Sequence, residues 1–246
     1  MALAVASRAY HDAMSGSVPL AFDLIVPVYN EEASIDEFMA RIDRLGFRES
    51  VIFVDNASTD ATVERIEHHA GVHLIRHATN AGYGASIKDG IAQSQSSAVV
   101  IVDGDLEYPP EAIPDLLAAL EEHPVVYVSR FLGSGLTSMP LLRRWGNGLI
   151  SRMFNVLFQQ KTTDLYTGMK GLRREVVQSL ALQRDGFEHV AELGVQLARR
   201  GYRIHEIPVT YSPRTRGVSK MRHVPETMKF LWIIWTGWLR IRVRRP

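Results

Sequence analysis

The chain has no cysteine among its 246 residues. This absence excludes disulfide bonds, cysteine metal ligands and a cysteine nucleophile. A long apolar run is missing as well, because the apolar stretch near the C-terminus, residues 230–239, is about half as long as a membrane span requires. Neither a Walker A sequence nor a G-x-G-x-x-G fingerprint occurs, which excludes the usual P-loop and dinucleotide sites.

The net charge is small, but it is unevenly distributed. The whole chain carries +1, whereas residues 214–246 hold nine Arg or Lys and one acid, Glu226, which makes +8 there and −7 elsewhere. A basic segment beside an acidic body favours an anionic surface or a substrate phosphate near the C-terminus. A solvated charged tail explains the charge equally well. Residues 1–20 lack the regions of a signal peptide and predict a flexible N-terminal tail.

The apolar pattern predicts an α/β fold. With 46% hydrophobic and 22% charged residues, the composition is that of an ordinary globular protein. Short apolar segments alternate with segments of helical spacing, which indicates βαβ units, a mostly parallel sheet and ligands beyond the carboxyl ends of its strands. The strands are expected at 22–28, 50–54, 72–75, 98–102, 125–129 and 204–211, and the helices at 31–45, 61–69, 85–92, 141–160 and 187–199.

Polar segments follow each of the first four predicted strands. They are Tyr29-Asn30-Glu31, Asp55-Asn56, Asn80–Gly84 and Asp103–Glu107. Each has a structural alternative, such as a turn that caps a helix or a glycine-rich turn. Because all four fall at the same edge of one sheet, the sequence predicts a binding site there.

The most informative of these segments is Asp103-Gly104-Asp105, directly after the apolar run 98–102. If the chain stays extended, the two carboxylates point the same way. Hard oxygen ligands in small number suit Mg²⁺ or Mn²⁺ shared with a substrate diphosphate. Most such triplets are solvated turns, but the position after a buried strand, between other polar loops, favours a metal site.

Three further segments each have two interpretations. Arg130 follows a predicted strand and either neutralises a diphosphate or is simply exposed. The amphipathic segment 141–160 is most simply a core helix. Near the C-terminus, Trp232, Trp235 and Trp238 are spaced by three, which predicts that all three lie on one face of a helix. Several arginines follow them, which favours a helix at an anionic membrane interface. Packing against the domain or in an oligomer interface is the alternative.

Six motifs resemble those of the family 2 GT-A glycosyltransferases. The last ends in Pro-Arg-x-x-Gly-x-Ser-Lys and is similar to the dolichol-phosphate mannosyltransferase-like, or polyprenyl-phosphate glycosyltransferase, branch. The motifs are Val26–Glu31, Val54–Asp60, Asn80–Gly84, Asp103–Glu111, Asp164–Lys170 and Tyr211–Lys220. The resemblance runs from about residue 22 to 222. It implies a GT-A fold, which is a mostly parallel Rossmann-like central sheet with helices on both faces, over 21–223. A C-terminal aromatic and basic membrane-interface helix is expected at 224–246.

The resemblance also implies roles for individual side chains. The nucleotide pocket would be lined by three residues, the base would be read by the end of the second strand, the metal would be held by acids, and the donor diphosphate or lipid phosphate would meet basic residues. The pocket residues are Pro27, Tyr29 and Glu31, and the residues that read the base are Val54 and Asp55 or Asn56. The metal ligands are Asp103, Asp105 and Glu107, with Gly104 beside the diphosphate, and the basic residues are Arg130, Arg214 and Lys220.

The implied activity is inverting transfer of a sugar from a nucleoside diphosphate sugar, GDP-mannose or a UDP-sugar, to a polyprenyl phosphate. The reaction would require Mg²⁺ or Mn²⁺. The protein would be peripheral, on the cytoplasmic face of a membrane. Its further partners would be a membrane subunit or a second copy of the chain, and no nucleic acid is expected. A hydroxyl acceptor is the alternative, with Asp164, Glu188 or Glu192 as base. A non-catalytic nucleotide-sugar binder is a third reading. A nucleotidyltransferase is disfavoured, since its basic glycine-rich loop is absent.

Overall fold

A computed structural model describes residues 20–133, 141–210 and 223–242. Within these ranges the chain forms a seven-stranded sheet covered by eight α-helices and carrying two short 3₁₀ helices. All but the last residue of the predicted N-terminal tail lies outside the described residues, and so do Arg214 and Lys220.

The sheet is mostly parallel, as the alternation of strands and helices predicts. Its strand order is β3-β2-β1-β4-β6-β5-β7. Only β6 runs antiparallel to its two neighbours, and every other pairing is parallel. The strands are β1 (Phe22–Val28), β2 (Val51–Asp55), β3 (His73–Arg76), β4 (Ala98–Val102), β5 (Val125–Ser129), β6 (Met169–Arg173) and β7 (His205–Pro208).

Helices cover both faces of the sheet because the central strands are apolar on both sides. In β1, Leu24 and Val26 belong to one buried cluster with α1, α2 and α4, whereas Ile25 belongs to a second cluster with α3 and α5 to α8. The helices are α1 (Ile35–Leu45), α2 (Thr62–Glu67), α3 (Tyr83–Gln93), α4 (Ile113–Glu122), α5 (Leu141–Phe158), α6 (Arg174–Ser179), α7 (His189–Arg199) and α8 (His223–Arg242); the 3₁₀ helices are Arg48–Ser50 and Pro110–Ala112.

Several local predictions were wrong, and helices α4 and α6 were not predicted. Helix α1 begins at Ile35 rather than at residue 31, because the preceding turn is tied to another loop: the Glu31 N–H donates to Thr62 Oγ1 at 2.7 Å. Strand β6 was not predicted at all. It carries Lys170 and Gly171 in its middle, so it lacks the run of β-branched residues by which the other central strands are recognised.

The register of the sheet brings the polar loops together. Val28 at the end of β1 pairs with Asp55 at the end of β2, and Asp55 pairs with Arg76 at the end of β3. On the other side of β1, the loop after β4 packs closely: a Cβ at Gly104 would lie 3.1 Å from Val28 Cγ1. The loops that follow β1, β2, β3 and β4 therefore share one edge, as predicted.

Candidate functional site

The loops after β1 and β2 form one hydrogen-bonded unit. The Asn30 N–H donates to Ser58 Oγ at 2.9 Å, and the Thr59 N–H donates to Asn30 Oδ1 at 2.7 Å. Pro27 and Tyr29 on the same stretch are half-buried, so each keeps part of its side chain at the edge of the sheet. Hydrogen bonds therefore join the two loops while Pro27 and Tyr29 stay partly exposed, which suits a surface that contacts part of a ligand.

The three residues expected to read the base have different surroundings. The Val54 side chain is fully buried in the core cluster behind β2, so only its backbone is left for a contact with the base. Asn56 is committed to the loop after β3: its Oδ1 accepts from the Ala81 N–H at 2.8 Å and its Nδ2 donates to Asn80 Oδ1 at 3.0 Å. Asp55 accepts the Ser58 N–H at 3.2 Å and, as a carboxylate, retains capacity to accept more.

Backbone strain is concentrated at the same edge. Among the described residues four that are not glycine have a positive φ, and three of these lie in the loops in question: Asn30 at 53°, Ala57 at 62° and Leu106 at 64°. A left-handed conformation costs roughly 1–2 kcal/mol for a residue with a Cβ. Such strain is typical of sites whose geometry is held by the surrounding structure.

Asp103 lies directly after β4 and is closely surrounded by other residues. The Tyr83 hydroxyl donates to its Oδ1 at 2.9 Å. On the opposite oxygen, Gly168 approaches so closely that a Cβ there would overlap Oδ2. Burial and the neighbouring Asp105 raise the pKa of Asp103 to about 7, although Lys170 and the Tyr83 hydrogen bond act in the opposite direction. The carboxylate is thus oriented by its neighbours and crowded by negative charge.

These acids fit a divalent cation. Crowding by Asp105 and Glu107 raises the pKa of Asp103, and a cation would offset that repulsion. Asp105 is oriented in turn, since its Oδ1 accepts the Glu107 N–H at 2.9 Å. Over the described ranges, no three His, Asp or Glu side chains converge to hold a metal by themselves. Such an incomplete set is typical of Mg²⁺ sites that take further ligands from water and a substrate phosphate.

Arg130 and Asp164 form a buried ion pair beside these acids. Arg130 Nε and Nη2 donate to Asp164 Oδ2 and Oδ1 at 2.7 and 2.9 Å. The Asp164 side chain is fully buried, and the Arg130 guanidinium lies over the Tyr108 ring at 5.4 Å and 4.0 Å from Glu107. The pair therefore places a cation next to the acidic cluster, and both Asp164 oxygens are occupied in doing so.

The three candidate bases have different surroundings. Asp164 is the counter-ion of Arg130, which argues against a role as base. The Glu192 carboxylate accepts the backbone N–H groups of Gln183 and Arg184 at 3.0 and 2.9 Å, so it holds the segment before α7. Glu188 lies 3.7 Å from Lys229 of α8. Of the three, Glu188 has the least restricted carboxylate.

Lys170 is a buried residue to which the sequence motifs assigned no role. It sits in β6 at 1% exposure, and its ammonium donates to the Thr167 carbonyl. Burial lowers its pKa to about 8, although Asp103 and Asp164 favour the charged form. The only sequence signal is its place at the end of the Asp164–Lys170 motif, because a lysine inside a buried strand has no recognisable periodicity.

Sequence relatives point to one family. The model of Glycosyl transferase family 2 matches residues 23–181. The dolichyl-phosphate hexose transferase of Haloferax volcanii is 32% identical over 80% of this chain and 85% of its own length. The dolichol-phosphate mannosyltransferase of Pyrococcus furiosus is 29% identical over 84% of this chain. The match spans 63% of that protein and 65% of the glycosyltransferase AglJ of H. volcanii, less than two thirds of either.

Solved structures agree on the fold. Glucosyl-3-phosphoglycerate synthase of Mycobacterium tuberculosis, in complex with Mn²⁺, UDP and phosphoglyceric acid, superposes with a TM-score of 0.73 over 94% of this chain and 82% of that one. At 17% identity this likeness shows the fold alone, and it confirms the GT-A fold that the motifs imply. Since the family model covers more than half of the residues, the chain belongs to glycosyl transferase family 2.

Proposed function

We propose that this chain transfers a sugar from a nucleoside diphosphate sugar to a polyprenyl phosphate. The observation that carries the proposal is the cluster of Asp103, Asp105 and Glu107 beside Arg130, at the edge where the loops after β1 and β2 meet. The names of relatives support the acceptor class, since they include a dolichol-phosphate mannosyltransferase and an undecaprenyl-phosphate mannosyltransferase.

This geometry supports the following proposal for the donor end. Asp103 and Asp105 hold a divalent cation, Mg²⁺ or Mn²⁺, with Glu107 and Gly104 beside them. When bound, the cation neutralises charge that develops on the departing nucleoside diphosphate. Arg130 lies where its charge adds to that effect. The nucleoside, guanosine or uridine, occupies the edge formed by Pro27, Tyr29, Glu31 and Asp55.

A phosphate acceptor needs no base, which suits a site where Asp164 is paired with Arg130 and Glu192 accepts backbone N–H groups. A phosphate monoester is largely dianionic at neutral pH, since its second pKa is about 6. One of its oxygens attacks C1 of the sugar, the bond from C1 to the diphosphate oxygen breaks, and the electron pair leaves with the nucleoside diphosphate. Attack from the opposite face inverts the anomeric centre, and no proton has to be removed. Arg214 and Lys220, which lie outside the described residues, are proposed to contact the lipid phosphate.

The acceptor class is tested by offering both kinds of acceptor. With GDP-mannose and UDP-glucose as donors and Mn²⁺ present, we expect transfer to a short-chain polyprenyl phosphate and little to glycerol or simple sugars. The rate of transfer by Glu188→Gln should stay within about threefold of the parent rate, because loss of a true general base lowers the rate about 10²–10⁴-fold. Arg214→Ala and Lys220→Ala should raise the KM for the lipid phosphate. Transfer to hydroxyl acceptors only, abolished by Glu188→Gln, would establish the alternative.

The C-terminal helix supports a position at a membrane surface. Phe230 and Ile234 of α8 are buried in the core, whereas the opposite side exposes an apolar stripe with spacings of four, three and four residues. This stripe is Met228, Trp232, Trp235 and Leu239. Trp238 does not belong to it and packs against the core, because two steps of three residues rotate a side chain about 120° away from Trp232. The prediction of one face with all three tryptophans was therefore wrong.

Helix α5, which contacts α8, exposes apolar side chains as well. Its side chains Trp145, Leu149 and Val156 are exposed, so α5 is not simply a core helix. Basic residues accompany both stripes, with Arg144 and Arg152 exposed on α5 and Arg240 on α8. In the part of the chain that the structure covers, every helix is too short or too polar to cross a bilayer. On the basis of the exposed apolar side chains and the arginines beside them, we propose peripheral binding to an anionic membrane, on the cytoplasmic face.

Membrane binding can be measured by sedimentation with anionic liposomes. Full burial of a large apolar side chain contributes about 1.5–3 kcal/mol, so Trp232→Ala with Trp235→Ala should weaken partitioning at least about tenfold. Added salt should weaken it further by screening the arginines. Leu132→Ala is the matched control, since this residue is 49% exposed, like Trp235 at 48%, but lies outside both helices. Unchanged partitioning of the double variant would show that α8 packs against a protein instead.

A further inference from the structure

The loop after β3 and the first turn of α3 pack against the segment that precedes α7. A Cβ at Gly82 would overlap the Asp185 carbonyl oxygen, and one at Gly84 would lie 2.5 Å from the Arg184 carbonyl oxygen. The Ala85 N–H donates to the Asp185 carbonyl at 3.1 Å. Glycine is therefore required at both positions for a close approach of two backbones, and the two segments form one unit.

Tyr83, between these two glycines, connects that unit to the acidic cluster. Its ring stacks on Phe187 with centroids 5.1 Å apart and an interplanar angle of 15°. Its hydroxyl donates to Asp103 Oδ1 at 2.9 Å. The stack fixes the plane of the ring and the hydrogen bond fixes its tip, so the hydroxyl is aimed at the carboxylate by a neighbour from another part of the chain.

The Asp103 carboxylate is consequently held from two sides. Tyr83 contacts Oδ1, and the backbone at Gly168 closes the space next to Oδ2. Removal of the hydroxyl would leave the backbone contact in place but would free the carboxylate to rotate. Groups that orient a ligand in this way commonly change metal affinity by 10–100-fold when they are removed.

We propose that Tyr83 is a positioning residue that orients Asp103 for a divalent cation, and that Phe187 fixes Tyr83 in this role. The inference rests on the proposed function only in taking Asp103 as a metal ligand. It places the glycine-rich loop after β3 in support of the metal site, in addition to any contact that the loop makes with the nucleotide.

The test compares Tyr83→Phe, which keeps the ring and its stacking, with Tyr202→Phe. Tyr202 follows the C-terminal end of α7, about 16 Å along the helix from the end near Phe187. Mn²⁺ binding is measured directly by titration calorimetry with UDP or GDP present, and the midpoint of thermal unfolding is measured for each protein. We expect Tyr83→Phe to bind Mn²⁺ at least about tenfold more weakly with little change in Tm, whereas Tyr202→Phe binds it normally. Excess Mn²⁺ should restore most of the rate of Tyr83→Phe.

Each outcome bears on a separate claim. Equal Mn²⁺ affinity for the parent protein and Tyr83→Phe overturns the inference, and so does a lowered Tm with unchanged affinity, which would assign the hydroxyl a role in stability alone. No Mn²⁺ binding by the parent protein with either nucleotide would instead contradict the metal-dependent function itself. A tenfold loss in Tyr202→Phe as well would show that the effect is not specific to the bond with Asp103.

Discussion

Asp103→Asn and Asp105→Asn are each expected to lower transfer at least about 100-fold while the fold remains intact. Each replacement removes a charged ligand of the cation, and one lost charge-stabilising contact costs about 3 kcal/mol of transition-state stabilisation. Stability should not fall in Asp103→Asn. Burial and Asp105 raise the pKa of Asp103 to about 7, which means that the metal-free fold disfavours this negative charge.

The initial rate of transfer is measured at saturating Mn²⁺, and thermal unfolding is measured on the metal-free protein. Asp115→Asn is the matched control, because Asp115 is an exposed acid in the first turn of α4, outside the site. Chelation of the metal with EDTA should reproduce the loss in the parent protein. Near-normal turnover in EDTA, or in either of the two site variants, would contradict the assignment of the metal site.

Asp164→Leu is expected to lower the free energy of unfolding by about 3–5 kcal/mol. The replacement leaves the Arg130 guanidinium buried without its bidentate partner, and an uncompensated buried charge is strongly destabilising. In the double variant Arg130→Met/Asp164→Leu, most of this loss should be recovered, because neither charge is then left alone. Urea unfolding followed by circular dichroism provides the three free energies.

This measurement also separates two roles for Asp164. As the counter-ion of Arg130 it is needed for stability, whereas as a general base it would be needed for the rate. A loss below about 1 kcal/mol in Asp164→Leu, with no recovery in the double variant, would reject the structural role. The base hypothesis would then gain support if Asp164→Asn lost activity towards hydroxyl acceptors.

The sequence predicts the frame of the molecule well, because the frame depends on local pattern. Buried parallel strands are short β-branched runs, and such runs at 22–28, 98–102 and 125–129 coincide with β1, β4 and β5. Parallel strands place their carboxyl ends at one edge, so the position of Asp103 and Asp105 next to the loop after β1 followed from topology. A polar residue directly after a buried strand is visible without any knowledge of its partners.

The partners themselves were decided by tertiary structure. Nothing near Arg130 in the sequence identifies Asp164, 34 positions away, as the residue that binds it. Tyr83 and Phe187 are likewise far apart along the chain, and Trp238 differs from Trp232 only in what lies against it. Periodicity reports which side of an element is apolar, but a hydrogen bond or an ion pair depends on distance between elements, which is set when the whole chain packs.

Strand β6 illustrates both points, because local pattern does not predict it and its buried charge depends on partners from other parts of the chain. Lys170 at its centre breaks the apolar pattern by which a buried strand is recognised, and its charge is tolerated only because Asp103 and Asp164 face it after folding. The sequence alone therefore determined the fold class, the family and the edge at which the acids meet. The tertiary structure decided which buried charges compensate one another, because a charge can be buried only where other parts of the chain supply its partners.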